Sequence, residues 1–166
     1  MVEHSVGQRS LVARVDVLVE DALGSRGASL VITGDAGTGK THFLRHLRAR
    51  ALDDAITPVV TLTASCSATG RRPFGPWRTL LTQSRRTQRN PLVQSAPSHP
   101  MTPSTPREFA DRLLASWASS ATPVLVLLDD ADHLDPLSAQ VLDHLHDMVH
   151  GESLVMVLAT RSDALT

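Results

Sequence analysis

Residues Gly34-Asp35-Ala36-Gly37-Thr38-Gly39-Lys40-Thr41 form the stretch of this sequence in which residue types and spacing together point most directly to a chemistry. Glycines let a backbone take positive φ and wrap its amides around phosphate oxygens, and a helix N-terminus just beyond adds unpaired amides and a favourable dipole. The spacing G-x-x-x-x-G-K-[ST] is that of a phosphate-binding P-loop, which requires a strand before it and a helix after it. Lys40 then reaches the β- and γ-phosphates, and Thr41 offers its hydroxyl to Mg²⁺. With His42 directly after it, the loop makes up the expected nucleotide-binding set. Of sixteen basic residues fifteen are Arg, so the single Lys falls at the one place where this chemistry needs it.

A P-loop also needs a metal-holding carboxylate, and Asp129, at the end of the apolar run 124–128, stands where one belongs. Asp130 follows directly and can polarise a water for attack on the γ-phosphate, so Asp130 and Lys40 are the expected catalytic pair. Aspartate is one methylene shorter than the glutamate usual at that place, so the expectation is slow hydrolysis. The plainer reading of Asp130 is a loop carboxylate that caps a backbone amide. Thr160 and Arg161 end the last apolar run and are placed to report whether a γ-phosphate is present.

The elements that must position these groups can be read from periodicity. Leu11, Val15, Leu18, Val19, Ala22 and Leu23 recur at helical spacing, which predicts a helix over 11–23. Residues 29–33 read as a strand, 41–52 as a helix with Phe43, Leu44, Leu47 and Ala51 on one face, and 57–63 as a second strand rich in β-branched residues. Pro76 can open a helix running to about residue 89. Five prolines among Ser, Thr and Gln then mark 90–106 as an insertion without a fixed conformation. Thr105, Pro106 and Glu108 have the form of a capping box, which predicts a helix to about residue 119 along Phe109, Leu113, Leu114 and Trp117. The run 124–128 suits a strand covered on both faces, Asp135 and Pro136 open a helix that Gly151 stops, and 153–159 is the fourth strand. Strands alternating with helices predict an α/β three-layer sandwich with a mainly parallel sheet, one P-loop core spanning 1–166.

Composition narrows the function. With 166 residues, 42% hydrophobic, 20% charged and a net charge of −1, the chain suits one globular domain and cannot hold nucleic acid through bulk charge. One cysteine, Cys66, excludes a disulfide framework, and with no secretion signal visible a cytoplasmic location is expected. No apolar run is long enough for a membrane span. Residues 55–107 carry seven Arg and no acid, which reads as a solvated surface, while 129–135 holds four carboxylates. His42 and His46, and likewise His146 and His150, have a spacing that can chelate zinc, but no third ligand is placed and exposed helix polar residues are the simpler reading. Trp77, Trp117 and Phe109 read as core anchors.

Five segments resemble the nucleotide-binding domain of STAND-class ATPases in the AAA+-like (ASCE) P-loop group, especially the N-terminal module of large LuxR-type (MalT-like) bacterial transcriptional regulators. Val6-Gly7-Gln8-Arg9 with Leu11 is similar to the family's V-G-R-x-x-E-L opening, with Gln8 as an extra residue; the resemblance places Val6, Gly7 and Arg9 on the adenine side. Gly34 to Thr41 is similar to G-E-A-G-I-G-K-T. Pro73-Phe74-Gly75-Pro76-Trp77 with Leu80 and Leu81 resembles P-Y-x-P-W-x-x-L-L. The run LVLLDDADHLDP ending at Pro136 resembles L-V-L-D-D-L-H-W-A-D-P, and Leu158-Ala159-Thr160-Arg161 resembles a strand ending in a sensor residue. The resemblance implies an ATP/ADP switch with Mg²⁺ as cofactor, and a protein partner or self-association. It also implies that this stretch lacks the last core strand, the C-terminal lid and the helix-turn-helix reader of a full regulator, so no direct DNA contact is expected. Three rivals remain at this level. Thr160-Arg161-Ser162-Asp163 has the spacing of a guanine-reading element, although Asp132 stands where a GTPase would place Gly. A P-loop small-molecule kinase, with the Arg-rich stretch 71–89 as its lid, is the second. A vestigial nucleotide-binding fragment acting as an interaction module is the third.

Overall fold

Strands and helices alternate along the chain in the computed structural model, which describes residues 3–53, 58–67, 72–87, 105–118, 120 and 122–161, without the side chains of 3–9 and 53. In chain order the elements are α1 (Glu3–Leu23), β1 (Ala28–Thr33), α2 (Lys40–Asp53), β2 (Val60–Ser65), α3 (Gly75–Thr87), α4 (Pro106–Ala118), β3 (Val124–Asp129), α5 (Pro136–Met148) and β4 (Leu154–Thr160). Two single turns of 3₁₀-helix, Ala131–His133 and Val149–Gly151, bracket α5. The strands form one sheet of order β1-β4-β3-β2, and every pair is parallel.

The two central strands bury residues on both faces, which is why V-L-V-L-L and L-V-M-V-L-A read as continuous apolar runs rather than alternations. Val126, Leu128, Met156 and Leu158 face one core with Trp77, Leu80, Phe109, Leu113 and Trp117 of α3 and α4 and Val141 and Leu145 of α5. Leu125, Leu127, Val155, Val157 and Ala159 face the other, against Val12, Val15 and Val19 of α1 and Phe43, Leu44 and Leu47 of α2. That is the expected three-layer α/β sandwich.

Several boundaries move. The first helix begins at Glu3 rather than near residue 11, and its buried stripe is Val12, Val15, Val19 and Ala22, while Leu23 is exposed. β2 runs over Val60–Ser65 instead of 57–63, because its register on β3 pairs Leu62 with Val126 and Ala64 with Leu128, the positions that share the α3, α4 and α5 core. The capping box holds: the Glu108 amide donates to Thr105 Oγ1 at 3.2 Å. Asp135 caps α5 as expected, its Oδ1 accepting from the amides of Leu137 and Ser138 at 3.1 and 3.0 Å. The insertion expected over 90–106 lies, up to residue 104, outside the described residues.

Gly27 leads into β1 through a close passage. A Cβ there would lie inside contact distance of the carbonyl oxygens of Val149, Glu152 and Leu154, so only glycine lets the chain pass the end of α5.

Candidate nucleotide site

Parallel strands bring all their C-terminal ends to one rim, and in an open α/β sheet that rim is where ligands bind. The register aligns Thr33 with Thr160 and Ser65 with Asp129, so the start of the glycine loop, the acidic pair and the expected sensor stand along the same edge. Between Thr33 and Lys40 the chain turns through Gly37 at φ 81° and Gly39 at φ 90°, conformations that need glycine. Thr38 Oγ1 donates to the Asp35 carbonyl at 2.8 Å and braces the turn. Lys40 Nζ curls over the loop and donates to the carbonyls of Gly34 at 2.5 Å and Asp35 at 2.9 Å. An incoming phosphate therefore competes with two neutral acceptors for that ammonium, and the charged acceptor makes the stronger hydrogen bond.

Thr41, on the first turn of α2, and Asp129, at the end of β3, line one cavity. A hydroxyl and a carboxylate are oxygen donors suited to a hard divalent cation, so the donor set fits Mg²⁺. Asp129 is oriented from behind: its Oδ1 accepts from the Asp130 amide at 3.0 Å. Asp130 adopts a left-handed conformation, φ 54° and ψ 45°, that Asp tolerates better than most residues. Its Oδ2 accepts from Ser67 Oγ at 2.6 Å, and Ser67 Oγ lies 3.0 Å from Ser65 Oγ. The Asp130 side chain is thus held by a hydroxyl chain rather than by a backbone amide.

Ser65 and Ser67 are the site residues that motif reading does not find. The signal is the string Thr61-Leu62-Thr63-Ala64-Ser65-Cys66-Ser67, where hydroxyls alternate with apolar residues up to the strand end. Between them Cys66 is buried, and its amide donates to the Asp129 carbonyl at 2.9 Å. Burial first, and then the carboxylates of Asp130, Asp129, Asp132 and Asp135, push its thiol pKa up to about 12.

Thr160 is buried beside Thr33, while Arg161 is exposed just beyond it. Val6, Gly7 and Arg9 lie in the first turns of α1, and their side chains are outside the described residues. His42 and His46 are exposed on α2, and no group of His, Cys, Asp and Glu able to hold a metal ion occurs among the described residues. His146 instead meets Ser29, Nδ1 to Oγ, at 2.7 Å. Trp77, Trp117 and Phe109 are core anchors as expected, and Phe109 stacks on Phe74 at 4.9 Å. Trp77 Nε1 also donates to the Ser138 carbonyl at 3.0 Å, which ties α3 to the start of α5.

A parallel sheet with a glycine loop leading into a helix at its first strand, and an acidic pair at the end of the strand two places away, defines a P-loop nucleotide-binding domain. A family model described as the AAA ATPase domain matches residues 4–157, and the chain belongs to that family. Among solved structures it is similar to Cdc6p from Pyrobaculum aerophilum, with a TM-score of 0.62 and 19% identity over 95% of this chain and 40% of that one. It is also similar to PCH-2 from C. elegans, with a TM-score of 0.52 and 15% identity over 93% of this chain and 37% of the other. At these identities the likeness shows the fold alone, and the chain spans about two fifths of the length of either structure. No curated protein matches its sequence. Among the described residues no helix is long and apolar enough to cross a membrane.

Proposed function

We propose that this domain binds ATP or ADP with Mg²⁺ at the loop from Gly34 to Thr41, hydrolyses ATP slowly, and acts as a cytoplasmic switch module of a LuxR-type signal-transduction regulator. The observation that carries the slow step is the restraint on Asp130, a short carboxylate in a left-handed turn that accepts a 2.6 Å bond from Ser67. In this reading Lys40 leaves the Gly34 and Asp35 carbonyls for the phosphates. Thr41 and Asp129 hold Mg²⁺, which when bound offsets charge on the phosphate oxygens. Asp130 takes a proton from the attacking water only when its side chain turns away from Ser67, so that bond sets a ground state that is off the reaction path. Thr160, beside the loop, is the expected γ-phosphate reporter.

Support for the regulator class comes from the resemblance of Pro73 to Leu81 and of the run ending at Pro136. Trp77 of the first segment donates to the Ser138 carbonyl, two residues beyond the end of the second. A partner protein or self-association is part of the proposal, and direct DNA contact by this segment is not.

The test compares ATP, ADP and GTP binding by calorimetry with single-turnover hydrolysis. Adenine-selective binding that Lys40→Ala abolishes, with unchanged circular dichroism, is the expected result, and equal affinity in that variant would sink the site. Asp130→Asn is expected to lower hydrolysis by about a hundredfold or more while binding stays within a few fold. Turnover unaffected by that change removes Asp130 from catalysis.

A further inference from the structure

β2 sends different chemistry to the two sides of the sheet. Its Leu62 and Ala64 join the core beneath α3, α4 and α5. Thr61, Thr63 and Ser65 alternate with them and so face the side that α1 and α2 cover. The core on that side takes residues from β3 and β4 and none from β2, so α2 meets a strip of hydroxyls at the sheet's β2 edge rather than an apolar surface. Between α2 and that strip lies a cavity of about 490 Å³, within the size range of small-molecule sites. Arg45 and Arg48, one turn apart on α2, line it together with Thr63, Ser65 and Thr79. Thr41 and Asp129 also line it, while none of the residues from Gly34 to Lys40 does. It therefore adjoins the phosphate loop without being part of it.

The charge lining this cavity is unbalanced toward the positive. Arg50, on the same helix, pairs with Asp16 at 2.8 Å, but Arg45 and Arg48 make no ion pair among the described residues. The one carboxylate in the lining is Asp129. Two guanidinium groups flanked by hydroxyls match the planar acceptor edge of a carboxylate or a phosphate, and they repel an ammonium guest.

We infer that this cavity is a second binding site, for a small organic anion whose carboxylate or phosphate engages Arg45 and Arg48 and whose remaining polar groups meet Thr63, Ser65 and Thr79. The occupant reaches the same Thr41 and Asp129 that the nucleotide site uses for Mg²⁺, so each ligand changes the affinity of the other by one common factor. Anion binding stands on the cavity alone. The linkage rests on the nucleotide reading and names the class of signal that such a switch would take.

The experiment is a ¹⁵N NMR titration of the full chain, saturated with Mg–ADP so that the loop is filled, using citrate in one series and inorganic phosphate in another. Saturable shifts centred on the amides of Thr63, Ser65, Arg45 and Arg48 are expected, with the affinity reduced by about tenfold or more in Arg45→Gln/Arg48→Gln. These two arginines are exposed, so the variant keeps its fold and its ADP affinity. Tighter citrate binding identifies a carboxylate ligand, and tighter phosphate binding a phosphorylated one. Four results overturn the inference: no saturable shift with either probe, equal affinity in the double variant, shifts centred on residues 34–40 instead of β2, or tighter binding of a hexaglutamate peptide, which would make the cavity a protein contact. If ADP itself does not bind, the nucleotide reading fails separately. The citrate series on Lys40→Ala, where the loop has lost its charge, then still reads the cavity by itself.

Discussion

Cys66 offers a direct measure of the electrostatics around the acidic pair. The thiol is buried at the end of β2, and its pKa is raised from 9.0 to about 12, first by desolvation and then by Asp130, Asp129, Asp132 and Asp135. At pH 8 the thiolate population is then about a thousandfold below that of an ordinary cysteine, because each pH unit is a factor of ten. Stability follows the same shift. Between pH 9 and 12 the native state keeps a proton that the unfolded state has released, so stability is fully present below about pH 9 and falls as pH rises toward 12. The loss reaches at most about 4 kcal/mol, from 1.36 kcal/mol per unit. Few other groups confuse this window, since the chain has no tyrosine and a single lysine. The assay is the rate of iodoacetamide alkylation from pH 7 to 11, paired with urea unfolding of wild type and Cys66→Ser over the same range. Restricted access of the reagent slows the reaction at every pH but cannot move its inflection, so a log rate that keeps rising past pH 10 reports the raised pKa. Asp130→Asn should speed alkylation, yet leave it well below an exposed thiol, because burial is the larger cause. A rate that levels off near pH 9, together with alkaline unfolding unchanged by Cys66→Ser, would refute the picture of a thiol held protonated among carboxylates.

Two backbone predictions separate conformation from contact. Gly37→Ala meets no atom within 4 Å but must adopt φ 81°, so it should cost about 1–2 kcal/mol in stability and weaken nucleotide binding by re-aiming loop amides, as read by urea unfolding and calorimetry. Gly27→Ala is different: its Cβ would press on three backbone carbonyls that cannot rotate away, so a loss of about 3 kcal/mol or more is expected, against little change for Gly151→Ala, where space is open. Thermal unfolding of the two variants side by side checks this pair.

Much of the fold was legible because its signals are local. The apolar runs ending at Leu128 and Ala159 needed burial on both faces, and Thr105 with Glu108 and Asp135 with Pro136 announced two helix starts that the hydrogen bonds bear out. The β2 boundaries were less legible, since β propensity runs from Val59 to Thr63 without a break and only pairing with β3 selects Val60–Ser65. For α1, Gly7 and the polar residues around it hid a helix that extends back to Glu3. The loop from Gly34 to Thr41 was readable because a P-loop is built from consecutive backbone groups, whose geometry the glycines encode in order. Ser67 was not, because its role depends on meeting Asp130 across 63 positions of chain.

The same distinction explains how one rim can hold a visible site and a hidden one. Arg45 and Arg48 look in sequence like ordinary solvated charges, and Thr63 and Ser65 look like the polar half of an edge strand. Only the register of β2 on β3 and the seat of α2 on Leu127 bring them around one cavity. In the proposed reading Thr41 and Asp129, which line the cavity, also hold the metal, so an anion at the arginines and a metal at the loop meet at the same two side chains. Shared donors supply differential contact free energy, which a switch requires if a second ligand is to shift it. Affinity for ADP that stays constant as citrate saturates the β2 amides would leave two independent sites and dissolve the coupling. A change in ADP affinity mirrored by an equal change in citrate affinity would establish it, because linkage between two equilibria runs equally in both directions.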